Sequence, residues 1–280
     1  MFTQESFRYW DSLVIIRRKF MTTPNREKMK LTAWWYRLEY ILPIIILLVI
    51  WYVVTAQDGY KGLLFPKLTT IWETFVHKLL DKSLLEAIGV SLIRVLKGYV
   101  LSAVFGITFG IVIGLSSHAQ RLTDLFIQIL KPIPPIAWIP LVILWLGIAE
   151  GSKVFLIFLG GFFTILLNVI DGIRYTDKKL LEVASVMETP KRKYILHLII
   201  PAAFPSIFTG LRVAMGTCWT CVVAAELVAS SSGVGYMISN ARNFGQMDVV
   251  IVGMLSIGVV GKIMDVVLMF IEKKVLSWNL

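Results

Sequence analysis

Ionisable and thiol side chains inside long apolar runs are the positions where this sequence could do chemistry, and they are few. Arg212, Glu226, Lys262 and Asp265 all fall within such runs, where a charge is costly and rarely faces lipid. Arg212 lies about eight residues, roughly 12 Å, into its apolar run, and Asp265 about seven residues, roughly 10 Å, from the end of its own at 1.5 Å per residue. The matched depths predict that the two pair or share a polar cavity. Lys262 and Asp265, spaced i,i+3, can also pair within one helix. Glu226 sits near the opposite end of its run, where it can meet an outside partner or an outer gate. For all four, structural pairing and a role in a polar pathway carry equal weight.

The thiols and imidazoles point to no reaction. Cys218-Trp219-Thr220-Cys221 has the spacing of a redox motif, yet it lies inside an apolar run without a strand–turn–helix context. Burial there makes the thiols inert small hydrophobes, so packing is the expected role. His77, His118 and His197 are scattered and lack ligand spacing, so no metal is expected, and no cofactor. The chain has no Gly-x-x-x-x-Gly-Lys-Ser/Thr loop to hold nucleotide phosphates. It is not expected to be an enzyme.

These residues must be positioned by membrane helices. Of 280 residues, 57% are hydrophobic and 16% charged, and the mean hydropathy is +0.75. A water-soluble domain carries about 25% charged residues, and this apolar surplus would leave large sticky patches. An all-α integral membrane protein follows, with six spans at about 40–55, 92–115, 125–147, 153–173, 203–229 and 249–271, each long enough for a bilayer core with some tilt. Residues 57–86, punctuated by Gly59, Gly62 and Pro66, read as an extramembrane connection. Pro132, Pro134, Pro135 and Pro140 interrupt the third span. That span should be broken or kinked, and packed inside a bundle where protein or water satisfies the freed carbonyls.

The net charge of +10 is explained by topology rather than by nucleic acid. With the N-terminus inside, segments 1–39, 116–124, 174–200 and 272–280 hold seventeen basic residues, against six on the outer segments. That asymmetry places both termini in the cytoplasm. The first apolar run follows nearly forty residues, too long a lead for a cleaved signal, and is taken as the first span of a permeation domain over 40–280. Within 1–39, Phe7, Trp10, Leu13, Val14, Ile16 and Phe20 recur at helical spacing among Arg8, Arg17, Arg18 and Lys19. This suits an amphipathic helix on an anionic membrane face, with a frayed basic tail as the alternative.

The inner loop 174–200 is patterned beyond the needs of a connector. It reads as two short helical pieces, one ending near Glu188 and the other starting at Pro190, a residue compatible with a first helical position. The stretch resembles the EAA loop of ABC-type importer permeases: Glu182, Ala184 and Pro201 fall on the matching positions. Val183 stands where the pattern has alanine, and Glu188 where it has the glycine between the two helices. Lys131 to Leu141, then Trp145-Leu146-Gly147 and Ser152-Lys153, are similar to the third span of taurine, aliphatic sulfonate and nitrate transporter permeases. So are Thr209-Gly210-Leu211-Arg212, Trp219 and Val223 to Leu227. The likeness covers roughly residues 85–275.

The resemblance implies a homodimeric permease in a bacterial or archaeal plasma membrane. Two cytoplasmic ATPase subunits would receive the loop around Glu182, Val183, Ala184, Glu188, Pro190, Lys191 and Pro201. An external solute-binding protein would deliver a small anion such as a sulfonate, nitrate or bicarbonate. ATP-driven closure of the ATPases would then switch the permease between inward- and outward-facing states.

Along the fifth span, Gly210, Ala214, Cys218 and Val222, and again Gly216, Thr220 and Ala224, repeat at four-residue spacing. Such small-residue stripes let helices approach closely. The span is expected to line a pathway, with Thr217, Trp219 and Thr220 as lining or gate positions; ordinary packing is the competing reading. A self-contained secondary transporter or channel is the rival function, but it would more often show repeated halves or a run of acidic coupling residues. A membrane-embedded enzyme would need a nucleophile or metal cluster.

Overall fold

The computed structural model describes residues 41–55 and 65–276, and the regular structure among them is entirely helical. The proposed amphipathic segment 1–39 lies outside the described residues. Two compact units are distinguished, Met1–Lys67 and Leu68–Leu280. Within the first, helix α1 (Ile41–Thr55) carries Trp51, whose indole Nε1 donates to the Pro66 carbonyl at 3.2 Å and whose ring meets Phe65 edge-on at 5.9 Å.

The second unit runs α2 (Leu68–Leu80), α3 (Ser83–Leu115), α4 (Ser117–Leu130), a 3₁₀ turn (Pro135–Trp138), α5 (Ile139–Leu146), α6 (Glu150–Arg174) and α7 (Lys178–Val186). A 39-residue helix, α8 (Lys191–Ala229), then α9 (Val234–Asn243) and α10 (Met247–Val275) complete it. Helices α3, α6, α8 and α10 are each long and apolar enough to cross a membrane. The pair α4 and Pro135–Leu146 counts as a fifth span, bent by 86°.

Helix α3 starts nine residues before the predicted second span. Asp81 accepts hydrogen bonds from the Ser83 amide at 2.9 Å and the Ser83 hydroxyl at 2.7 Å, which starts the helix, and Leu84 and Ser91 in its first turns are buried. Polar residues there dilute the hydropathy, while tertiary packing sustains the helix.

The core is built on close approach of small residues. On α3, Gly98, Ser102, Gly106, Gly110 and Gly114 form one stripe at four-residue spacing. The glycines face Ile157, Ile165, Val169 and Ile173 of α6, and a Cβ at Gly110 would lie 2.6 Å from that of Val169. Ser102 fits against Gly161 and donates to the Phe158 carbonyl at 2.9 Å. On the other side of α6, the α8 stripe Gly210, Ala214, Cys218 and Val222 is buried. Cys218 packs on Gly161 and Cys221 on Gly160, in keeping with the packing role expected of both. Buried Ile165, Val169, Ile207 and Ala214 fill the centre.

The proline-rich third span is broken, as its sequence requires, and its two halves pack unequally: on α5, Ile139 and Val142 are buried against Leu156 and Ala225, whereas α4 is the open half. Helix α4 has no buried residue, Pro132, Pro134 and Pro140 are exposed, and Pro135 is half-buried.

Candidate functional site

At the end of the bundle where α6 finishes, the chain forms a helix–turn–helix. Helix α7 carries Glu182, Val183 and Ala184 on its backbone; the Glu182 side chain is exposed and that of Ala184 half-buried. The turn is closed by the Glu188 amide on Ser185 O and the Thr189 amide on Ala184 O, both at 3.1 Å. Glu188 holds φ +47°, the left-handed conformation for which glycine is suited. Glutamate thus preserves the glycine-type turn, at a cost of about 1–2 kcal/mol. Pro190 caps α8, and Lys191 opens it with its side chain exposed. Helix α8 widens into a π turn over Ile195–Ile199, just before Pro201, whose missing N–H and ring conflict with the carbonyl four residues back.

The opposite end holds a buried charge cluster that sequence reasoning largely missed. Arg94 on α3 uses all five N–H donors. Its Nε and one terminal nitrogen grip both oxygens of Glu150 at 2.7 and 2.6 Å. Its other donors reach Glu226 Oε1 at 2.7 Å, Ser232 O at 2.7 Å and Ser232 Oγ at 2.8 Å. Lys153 Nζ adds a bond to Glu150 at 2.9 Å. Glu226 also accepts from Ser91 Oγ at 2.9 Å and from the Gly235 amide at 2.9 Å, while the Val234 amide donates to Ser91 Oγ at 3.0 Å. A carboxylate at the start of α9 is where a helix N-terminus favours negative charge. Gly233, at φ +103°, lies against Glu226 where any Cβ would collide.

Of the two readings of Glu226, the geometry is that of pairing: its side chain is 0% exposed and that of Arg94 4%. Burial selects pairing here, because an unpartnered charge is prohibitive at that depth. The signal available in the sequence was a lone arginine early in a long apolar run.

Arg212 and Asp265 do meet. Arg212 Nε donates to Asp265 Oδ1 at 2.7 Å, Lys262 Nζ lies 3.2 Å from Asp265 Oδ2, and Glu272 approaches Arg212 at 3.6 Å. Arg212, Asp265 and Glu272 line a cavity of about 460 Å³ between α8 and α10, with Thr209, Gly216 and Trp219. Trp219 is nevertheless mostly an anchor: it is 5% exposed and its indole donates to the Ile257 carbonyl at 3.0 Å, in space left by Gly261. Thr217 bonds the Gly160 carbonyl at 3.0 Å. Thr220 is exposed and donates back to Gly216 O at 3.1 Å. The two α8 stripes thus divide: one is buried on α6, and the other, through Gly216 and Thr220, stays open.

The chain matches the profile of the family described as binding-protein-dependent transport system inner membrane component over residues 106–277. It is 40% identical, over 85% of its length and 86% of the relative's, to a Bacillus subtilis (strain 168) protein named for aliphatic sulfonates transport, the permease SsuC. It is 33% identical to the nitrate import permease protein NrtB of Synechocystis sp. over 90% of this chain and 94% of that one. The fold is shared with a solved amino acid ABC transporter chain, at a TM-score of 0.62 and 12% identity, covering 71% of this chain and 98% of the other.

Proposed function

The chain belongs to the family of inner membrane components of binding-protein-dependent transport systems, permease subunits of ATP-driven importers, and from that premise we propose that it carries a small anion of the sulfonate, taurine or nitrate class by alternating access. Importers of this family work with an ATPase and a solute-binding protein. Here two ATPase copies would serve two permease copies, and ATP would be hydrolysed by those partners. The basic segments 174–200 and 272–280 would face the cytoplasm with both termini.

One observation carries the coupling reading. The segment from Lys178 to Tyr194 is an exposed helix, a left-handed turn at Glu188 and the start of a second helix, projecting between two spans. Such a rigid, charged projection continuous with α8 suits a lever: force applied at Glu182, Ala184, Glu188 or Lys191 passes directly into the helix that carries Arg212 and Thr220. The open stripe of α8 would face the second copy and line the route between them.

Deleting residues 182–190 from the tagged complex tests this. The ATPase should no longer copurify, while the permease still reaches the membrane and dimerises. Retained ATPase and retained uptake would refute the coupling role.

A further inference from the structure

Arg212 is a pathway candidate by sequence, and it is engaged by Asp265 and Glu272. With two carboxylates against it, that cavity offers an incoming anion no net attraction. A second cavity lies on the other side of Val213 and Gly216, which border both. It measures about 550 Å³ and is walled by the proline bend, α6 and the open stripe of α8. Volumes of this size fit small-molecule sites.

Its chemistry differs from that of the Arg212 cavity. Lys131, at the end of α4, is the sole charged residue lining it. Among the described residues, Lys131 makes no ion pair, and its side chain is exposed. Thr164 and Thr220 contribute hydroxyls to the same walls, and Phe163 and Val213 supply apolar surface. Thr164 sits 14 residues after Glu150 and 10 before Arg174 on α6, roughly 21 and 15 Å from the two ends. The cavity is therefore near mid-depth, where a free cation is expensive and marks a functional site.

We propose that this cavity, between the proline bend and the open α8 stripe, is the transit site of the solute, and that Lys131 is the charge that admits an anion. The 86° bend is then a functional shape: it turns Lys131 toward α6 and α8 instead of continuing a straight span. The Thr164 hydroxyl would donate to the anionic oxygens, Thr220 could do so only by turning from its bond to Gly216 O, and the apolar wall would accept a short carbon body. This site rests on the anion-importer reading above and deepens it.

The test uses the full complex with its ATPase and binding protein in proteoliposomes, with ethanesulfonate and nitrate as probes and glycerol as the uncharged control. In Lys131→Gln, anion uptake per ATP hydrolysed should fall about 10-fold or more, the effect of losing one charge-assisted hydrogen bond. Stimulation of ATP hydrolysis by loaded binding protein should persist, and Lys131→Arg should restore uptake. If the wild type carries an anion and Lys131→Gln carries it equally well, the transit site is wrong and the importer reading stands. A parallel loss of uptake, ATPase stimulation and assembly, unrescued by arginine, would make Lys131 a structural residue and overturn the site. If the wild type moves glycerol and neither anion, the anion reading and the site both fall.

Discussion

At the scale of single residues, the most consequential group is the Arg94–Glu226 pair. Each side chain is buried beyond the reach of solvent, and each satisfies the other together with Ser91, Ser232 and the start of α9. Removing Arg94 strands the sealed Glu226 carboxylate, which costs about 3–5 kcal/mol. Removing Glu226 leaves Arg94 its Glu150 partner but orphans Ser91 and the start of α9. Replacing both with apolar residues costs less than removing Arg94 alone. Arg94→Met and Glu226→Met should each markedly lower the unfolding temperature of the purified permease in detergent, and the double substitution should recover part of the loss. A strictly additive double mutant would show that the two do not act as a pair. The Arg212–Asp265 bond was legible from matched depths along two runs, because depth is counted along the chain. Arg94 was not, because it stands only two residues into the expected second span and its partner Glu150 falls in the connection between the third and fourth.

Among elements, two glycine patterns that look alike in sequence separate in the structure. The α3 stripe is pressed on α6, where a Cβ at Gly110 would come 2.6 Å from Val169 Cβ and 3.1 Å from the Leu166 carbonyl. Gly110→Leu should therefore overpack the contact by about 1–3 kcal/mol and lower thermal stability. At Gly216 no heavy atom lies within 4 Å of an added Cβ. Gly216→Ala should be neutral or up to about 1 kcal/mol stabilising through helix propensity. Opposite ranking of the two variants in a thermal unfolding assay would contradict this division of the stripes. The left-handed turn at Glu188 belongs to the same scale: the loop pattern indicated a turn, and the structure adds that a glutamate can occupy it.

At the scale of the whole molecule, the question is what covers the exposed faces of the second unit. Among the described residues, helix α4, most of the proline bend and the Gly216–Thr220 stripe are exposed, and the proposed second copy would cover that surface. With Cys218 and Cys221 replaced by alanine, a Thr220→Cys variant should cross-link between copies in native membranes, whereas a cysteine at buried Ser102 should not. Equal cross-linking at both positions, or none at Thr220, would place the contact elsewhere.

The sequence by itself determined the membrane setting, most of the spans and the segment that resembles a coupling loop. Each of these follows from hydropathy, charge counts or short-range spacing, which are properties of neighbours along the chain. Only the tertiary structure decided that Glu226 is sealed in a charge cluster, that the third span turns through 86° with Lys131 at its bend, and that Arg212 is neutralised while Lys131 is not. Those outcomes depend on which distant side chain meets which, and in a bundle of similar apolar helices that choice is made by packing volume and burial of charge.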